Sequence, residues 1–553
     1  MATKKEKSHH VQRVAKDTLG YEQLRPGQEE AVRSVIDGRD TLAVMPTGSG
    51  KSAIYQLSGV IRPGATVVVS PLIALQQDQL EAIDDRDVGD AAAVNSMLRQ
   101  RERRDAFEDL QRGDLEFLFL APEQFSREET LQQVQKIRPS LFVVDEAHCV
   151  SKWGHSFRPD YLKLGAVIDA LGHPTVLALT ATASPYVRDE IVEKLKMRNP
   201  RVIVHGFDRP NIHLNVIACT DEESKRKALL IKVGRAKRPG IVYVATRKHA
   251  EQLGAEIAER GEEVAVYHGG MNASERGDAQ ETFMSGDAPL IVATNAFGMG
   301  IDKPDVRFVF HYDVADSLDS YYQEIGRAGR DGKPADAILF YRRADLHLHR
   351  FFASGGQVDG ATVERVLHAI HEIPESHKPR ELSDMLDLSS GKVASAIHGL
   401  DAVGAVEILA TGEVALGPHA DDLDEAARQA VRAQDSFRRL EMSRIEMMQA
   451  YAEIDSCRRQ FLLNYFGEPY EGPCHNCDND RDEPNAINAT PAQLPEDPFK
   501  PFPLKSWVVH PQWGKGMVAR YDRNKIVILF DEAGYKTFLL RMVLDNNLLK
   551  PLA

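Results

Sequence analysis

Four groups of residues in this chain have the types and spacing to do chemistry. The first is "MPTGSGKS", residues 45–52. A glycine-rich turn between a strand and a helix sets backbone N–H groups around a phosphate at the helix N-terminus. Thr47, Gly48, Ser49 and Gly50 would form that cradle. Lys51 would reach the β/γ-phosphates of ATP and Ser52 would ligate Mg²⁺. The strict pattern has glycine where this chain has Met45, so a plain glycine turn with a chance Lys-Ser stands as the alternative. The second group is Asp145-Glu146, closing the apolar run "LFVV". Carboxylates at a strand's C-terminal end sit where open α/β sheets bind ligands. There Asp145 would hold Mg²⁺ and Glu146 would orient or deprotonate the attacking water. The third is "YYQEIGRAGRDG", which supplies Gln323, Arg327 and Arg330. Two arginines at three-residue spacing between glycines suit a second lobe that completes the site with an arginine finger. The fourth is Cys457 with "CHNCDND", which holds Cys474, Cys477 and Asp480. The C-x-x-C pair is half of a metal knuckle, and the fourth position is an aspartate.

These residues need rigid elements to hold them. In the first part of the chain the apolar runs "TLAV", "TVVVS", "EFLFLAP", "LFVVDE" and "TVLALTATA" alternate with helical stretches. In the next part "GIVYVAT", "VAVYHGG", "PLIVATN" and "VRFVFHYD" do the same. Strands separated by helices imply parallel sheets. The expected class is therefore α/β, with two lobes at residues 1–206 and 207–340 that meet near "HGFDRPNI". At 553 residues the chain exceeds one core and suggests about three to five domains. No apolar run approaches the roughly 20 residues that span a bilayer. The start, "MATKKEKSHH", has no apolar stretch after it, and five cysteines are no disulfide framework, so a cytoplasmic location is expected. A net charge of −14 argues only weakly against nucleic acid, since phosphate contacts need just a local basic surface.

The order of motifs carries more. "LGYEQLRPGQ", "MPTGSGKS", "SPLIALQQDQ", "DEAHCVSKWGHSFRP", "LTATA", "FDRPNI", "ATNAFGMGIDKPDVR" and "YYQEIGRAGRDG" follow one another. The chain resembles the RecQ branch of superfamily 2 DNA helicases over roughly residues 15 to 345. A DEAH-box RNA helicase shares the acidic box but is not expected to carry "LRPGQ" or an aromatic-rich loop after it. The resemblance implies two RecA-like lobes. It also implies that Tyr21 stacks on adenine while Arg25 and Gln28 read it. "CVSKWGHSFRP" is similar to the family loop that couples single-strand binding to hydrolysis. It would use Trp153, His155, Phe157 and Arg158, aromatic faces and charge being suited to unstacked bases. Ser156 stands where the family usually has an aspartate.

Residues 341–356 and 425–485 resemble the family's helical zinc-binding module, in which one cysteine before "RR" and a C-x-x-C-x-x-C run bind structural Zn²⁺. Here Asp480 takes the last slot, so Cys₃Asp, Cys₃His through His475, and a metal-free knuckle are all open. Between the two parts, residues 357–424 read as helix, turn, helix and two short strands around Thr411-Gly412, an inserted winged helix. Residues 486–503 read as a Pro-rich linker. Residues 504–553 alternate through short strands as an SH3-like or Tudor-like β-barrel. That barrel is similar to the C-terminal Tudor-like module of UvrD/PcrA helicases, which suggests a protein partner such as RNA polymerase. The expected activity is ATP-dependent unwinding of DNA in the 3′→5′ direction, in repair or recombination. An RNA helicase and a DNA translocase or remodeller that does not unwind are the rivals.

Overall fold

The computed structural model describes residues 4–552 except 72–75, 77–78, 81–82, 85–88, 95–99, 152–158, 299–302, 355–357, 373–375, 409–412, 421, 481–500, 523 and 532. The chain divides into two compact units, residues 1–345 with 448–496, and residues 346–447 with 497–553. The expected aromatic-rich loop, the turn at Thr411-Gly412 and most of the expected linker lie outside the described residues.

The first unit contains two parallel sheets. In the first sheet the strands are β1 (Thr41–Val44), β2 (Thr66–Val69), β3 (Ala91–Val94), β4 (Phe117–Leu120), β5 (Leu141–Val144), β6 (Thr175–Thr180) and β7 (Arg201–Val204). Their order is β3-β4-β2-β5-β6-β1-β7, every pair parallel. β1, β2, β4 and β5 are buried at all four positions, so they read as unbroken apolar runs instead of alternating ones. Parallel pairing puts the C-terminal ends of β1, β5 and β6 on one edge of the sheet. Met45 to Ser52 leave from the first, Asp145 and Glu146 from the second, and Ala181 onward from the third.

The second sheet holds β8 (Ile212–Ala218), β9 (Gly240–Tyr243), β10 (Val264–Tyr267), β11 (Leu290–Ala293), β12 (Phe308–His311) and β13 (Ala335–Tyr341). Its order is β10-β11-β9-β12-β13-β8, again parallel throughout. Its core is Leu229, Val242, Leu253, Leu290, Val292, Phe308 and Phe340 with their neighbours. The helix Leu318–Ile325 follows β12, capped by the Ser317 hydroxyl, which accepts from the Ser320 N–H. The connector between the sheets, residues 205–211, joins β7 to β8. The helix Arg458–Tyr465 and the cysteine knuckle belong to this unit as well.

In the second unit, helices Gly360–Glu372, Pro379–Leu386 and Ser390–Ala402 pack on a hairpin, β14 (Val406–Ile408) against β15 (Val414–Leu416). Val363, Val366, Leu382, Ile397, Leu400 and Val414 fill their core. The C-terminal segment forms a five-stranded antiparallel sheet from β16 (Trp507–His510), β17 (Gly514–Asp522), β18 (Lys525–Phe530), β19 (Gly534–Leu539) and β20 (Lys550–Pro551). This sheet does not hang free. Gly534 lies against Ser443 of the 31-residue helix Leu423–Glu453, and Lys536 lines a cleft with Asp435, Arg438, Arg439, Met442 and Glu446 of that helix.

Candidate nucleotide and metal sites

The turn after β1 is braced from outside. The Gln28 side-chain amide donates to the carbonyls of Ser49 and Gly50, both at 2.9 Å, and Arg25 donates to the carbonyl of Gly48. A Cβ on Gly50 would stand 2.8 Å from that amide, and the residue has φ 76°, so glycine is required there on both counts. The backbone N–H of Arg25 donates in turn to the Gln28 Oε1 at 2.7 Å. The two residues expected to read a base therefore also fix the phosphate loop, and Tyr21 packs beside them on the first lobe's core. Thr47 and Ser49 lie in the turn, and the helix begins at Ser52. The Lys51 ammonium reaches only as far as the Met45 carbonyl, at 3.3 Å. Burial pulls its pKa down while Glu146 and Asp145 oppose this and Arg330 adds to it.

Asp145 caps β5 and its Oδ1 accepts the Glu146 N–H at 2.9 Å. The Tyr161 hydroxyl donates to the Asp145 carbonyl at 3.0 Å. Glu146 has φ 48°, a left-handed conformation that costs about 1–3 kcal/mol and recurs at functional sites. Its carboxylate lies 3.3 Å from His148 Nδ1, and that nitrogen lies 2.9 Å from Thr180 Oγ1 at the end of β6. Burial, and next the charge of Glu146, raise the Asp145 pKa to about 7, with Lys51 opposing. Two adjacent carboxylates with that repulsion suit a divalent cation, and Ser52 and Asp145 have the oxygen donors that Mg²⁺ takes.

The second lobe closes the site. A Cβ on Gly48 would meet Arg330 Cδ at 3.0 Å, so the Arg330 side chain lies along the phosphate loop. Arg327 is 4% exposed, and its Nε has no hydrogen-bond partner among the described residues. Gln323 sits half-buried on the helix that leads into both arginines. The structure thus brings Lys51, Asp145, Glu146 and Arg330 together. Trp153, His155, Phe157 and Arg158 lie outside the described residues. Sequence reading missed His148, the bridge from Glu146 to Thr180, although it was quoted within the acidic box.

Cys457, Cys474, Cys477 and Asp480 form a separate cluster whose ligand atoms all lie within 4.8 Å of one another. Zn–S bonds of about 2.3 Å put tetrahedral donors near 3.8 Å apart, so the group fits a four-coordinate Zn²⁺ after slight contraction. Cys457 begins the helix Arg458–Tyr465. Asp480 Oδ2 accepts the Cys474 N–H at 2.5 Å. Hydrogen bonds among the three cysteines lower the Cys477 thiol and raise those of Cys457 and Cys474, so the cluster favours one thiolate, at Cys477. His475 is exposed, at φ 53°, and is not in the cluster. Asn479 donates to the carbonyls of Ile454 and Ser456, both at 2.8 Å, which ties the knuckle to the segment before Cys457.

Comparison with known proteins agrees with this geometry. Residues 25–190 match the DEAD/DEAH box helicase model, residues 224–332 the helicase conserved C-terminal domain, and residues 421–481 the RecQ zinc-binding model. The C-terminal sheet lies outside all three. The probable ATP-dependent DNA helicase RecS of Bacillus subtilis (strain 168) is 36% identical over 465 residues, covering 83% of this chain and 89% of RecS. The ATP-dependent DNA helicase RecQ of Pasteurella multocida (strain Pm70) is 33% identical over 84% of this chain, which spans only 61% of that relative. Among solved structures, the DUF1998 helicase MrfA bound to DNA shares the fold, with a TM-score of 0.52 and 16% identity over 76% of this chain and 63% of that one. With a RecS match of this extent, the chain belongs to the RecQ family of helicases.

Proposed function

We propose that this protein is an ATP- and Mg²⁺-dependent DNA helicase that moves 3′→5′ along single-stranded DNA, in the cytoplasm, in repair or recombination. The observation that carries the reading is the meeting of Lys51, Asp145 and Glu146 of one lobe with Arg330 of the other. Tyr21, Arg25 and Gln28 hold the base, and Thr47 to Ser52 wrap the phosphates. Ser52 and Asp145 would hold Mg²⁺, which would supply positive charge against the phosphates. Lys51 neutralises the same oxygens. Glu146, oriented by His148, positions the attacking water and takes its proton. Gln323, Arg327 and Arg330 meet the charge that develops on the transferred group. Closing and reopening of the lobes then steps the strand held by Trp153, His155, Phe157 and Arg158. Zn²⁺ bound by Cys457, Cys474, Cys477 and Asp480 is structural. The C-terminal sheet, read as a Tudor-like barrel, serves a protein partner such as RNA polymerase; the sequence likeness to the UvrD/PcrA module supports this.

Lys51→Ala tests the reading. ATP hydrolysis should fall to background while single-strand binding, measured by fluorescence anisotropy, stays near wild type. In this reading Lys51 holds nucleotide phosphate, so its loss leaves the DNA contacts in place. Substantial residual turnover would remove Lys51 from its role.

A further inference from the structure

The connector between the lobes is gripped from two directions. On one side it holds the arginine loop. Arg209 donates to the carbonyls of Gly326 at 2.9 Å, Ala328 at 2.8 Å and Gly329 at 3.1 Å. Asn211 adds bonds to Gly329 at 2.8 Å and Lys333 at 2.9 Å. A Cβ on Gly329, which has φ 57°, would stand 2.4 Å from the Asn211 amide, so the loop fits this contact only with glycine there. The three carbonyls are reached from two nitrogens of one planar guanidinium, a spread that the single Nζ of a lysine does not reproduce. Arg327 and Arg330 project from the loop so held.

On the other side the metal module holds the connector. Arg459, two residues after Cys457, pairs with Asp208 at 2.9 Å and donates to the Ile212 carbonyl at 2.7 Å. Asn476, between Cys474 and Cys477, donates to the Pro210 carbonyl at 2.9 Å and accepts the Leu214 N–H on its own carbonyl at 3.2 Å. Glu468 accepts the Phe207 N–H at 2.9 Å, and the Phe207 ring stacks on Phe466 at 4.8 Å. The module also reaches the first lobe, where buried Arg188 donates to the Phe466 carbonyl at 2.5 Å. Metal knuckle, connector and arginine loop form one continuous chain of contacts.

We propose that Arg209 is a positioning residue for ATP hydrolysis and that the metal module, through Arg459 and Asn476, sets where the connector holds it. The module thereby governs turnover without touching nucleotide. This rests on the ATPase reading above. A misplacement of about 1 Å at a reacting centre can cost ~10²-fold in rate, so small slippage of the loop is enough.

The test uses the full chain in steady-state, single-strand-stimulated ATP hydrolysis, with thermal melting of each variant. Arg209→Lys keeps the charge and loses the fork. It should lower kcat by roughly 10²-fold with KM for ATP and the melting temperature little changed. Arg459→Ala should lower kcat by about 10-fold, and the double variant should fall no further than Arg209→Lys alone, because the two act in series. Wild-type kcat in Arg209→Lys would overturn the proposal. So would a double variant whose loss is the product of the single losses, or kcat losses that merely follow losses of folded protein. Lys51→Ala is run beside them. If it keeps hydrolysing ATP, the ATPase reading has failed; if it is inactive and Arg209→Lys is not impaired, only this proposal has.

Discussion

Arg330→Ala should bind nucleotide as the wild type does and lose turnover by roughly 10³-fold or more, the usual worth of an arginine finger. The expectation follows from where the side chain lies. Arg330 comes from the second lobe and its aliphatic stem runs along Gly48 of the first. Its charge already acts on Lys51, lowering that pKa. Two cations, one from each lobe, thus lie at the same loop. Without Arg330 the ground-state complex keeps Lys51, the cradle and the metal oxygens, so affinity survives while transition-state charge goes unmet. Arg330→Lys should recover little, since a point charge does not reproduce two parallel N–H donors. Nucleotide affinity by fluorescence titration beside kcat separates the two quantities. Unchanged turnover would dismantle the two-lobe site.

The second large effect concerns the knuckle. Purified protein should carry about one zinc per chain. Structural zinc supplies on the order of 10 kcal/mol of folding free energy, so Cys474→Ser should give poorly soluble protein. Asp480→Ala should be milder, with the metal retained but lost faster to a chelator. Asp480→Cys should retain it more tightly, because a thiolate replaces a carboxylate in a thiolate-rich site. Metal analysis that finds no zinc in undamaged protein would reject the site. Chelator resistance unaltered by Asp480→Ala would keep the site and reject the aspartate.

Parts of this were legible in the residues themselves. β1 falls at Thr41–Val44, because a strand buried on both faces reads as an unbroken apolar run, here Leu42 to Val44 after Thr41. The cluster was legible through the family resemblance, whose pattern has a cysteine where this chain has Asp480, and these four side chains lie together. The role of Arg209 could not be read. Its partners are backbone carbonyls more than 100 residues away, and a carbonyl leaves no trace in residue type. The seat of the C-terminal sheet on the helix Leu423–Glu453 was hidden for a related reason. Ser443, Gly534 and Lys536 are small or polar, and such contacts impose no hydrophobic period. The sequence marked residues 486–503 as a linker before the sheet, and the sheet's contact with that helix left no mark in it.

Strand displacement decides the central claim. A labelled duplex bearing a single-stranded 3′ tail, and its counterpart with a 5′ tail, are incubated with the full chain, Mg²⁺ and ATP. The account predicts displacement from the 3′-tailed substrate, none from the 5′-tailed one, and none with Lys51→Ala. Single-stranded DNA that stimulates hydrolysis while neither duplex is opened would contradict it, and would make the protein a translocase that does not unwind.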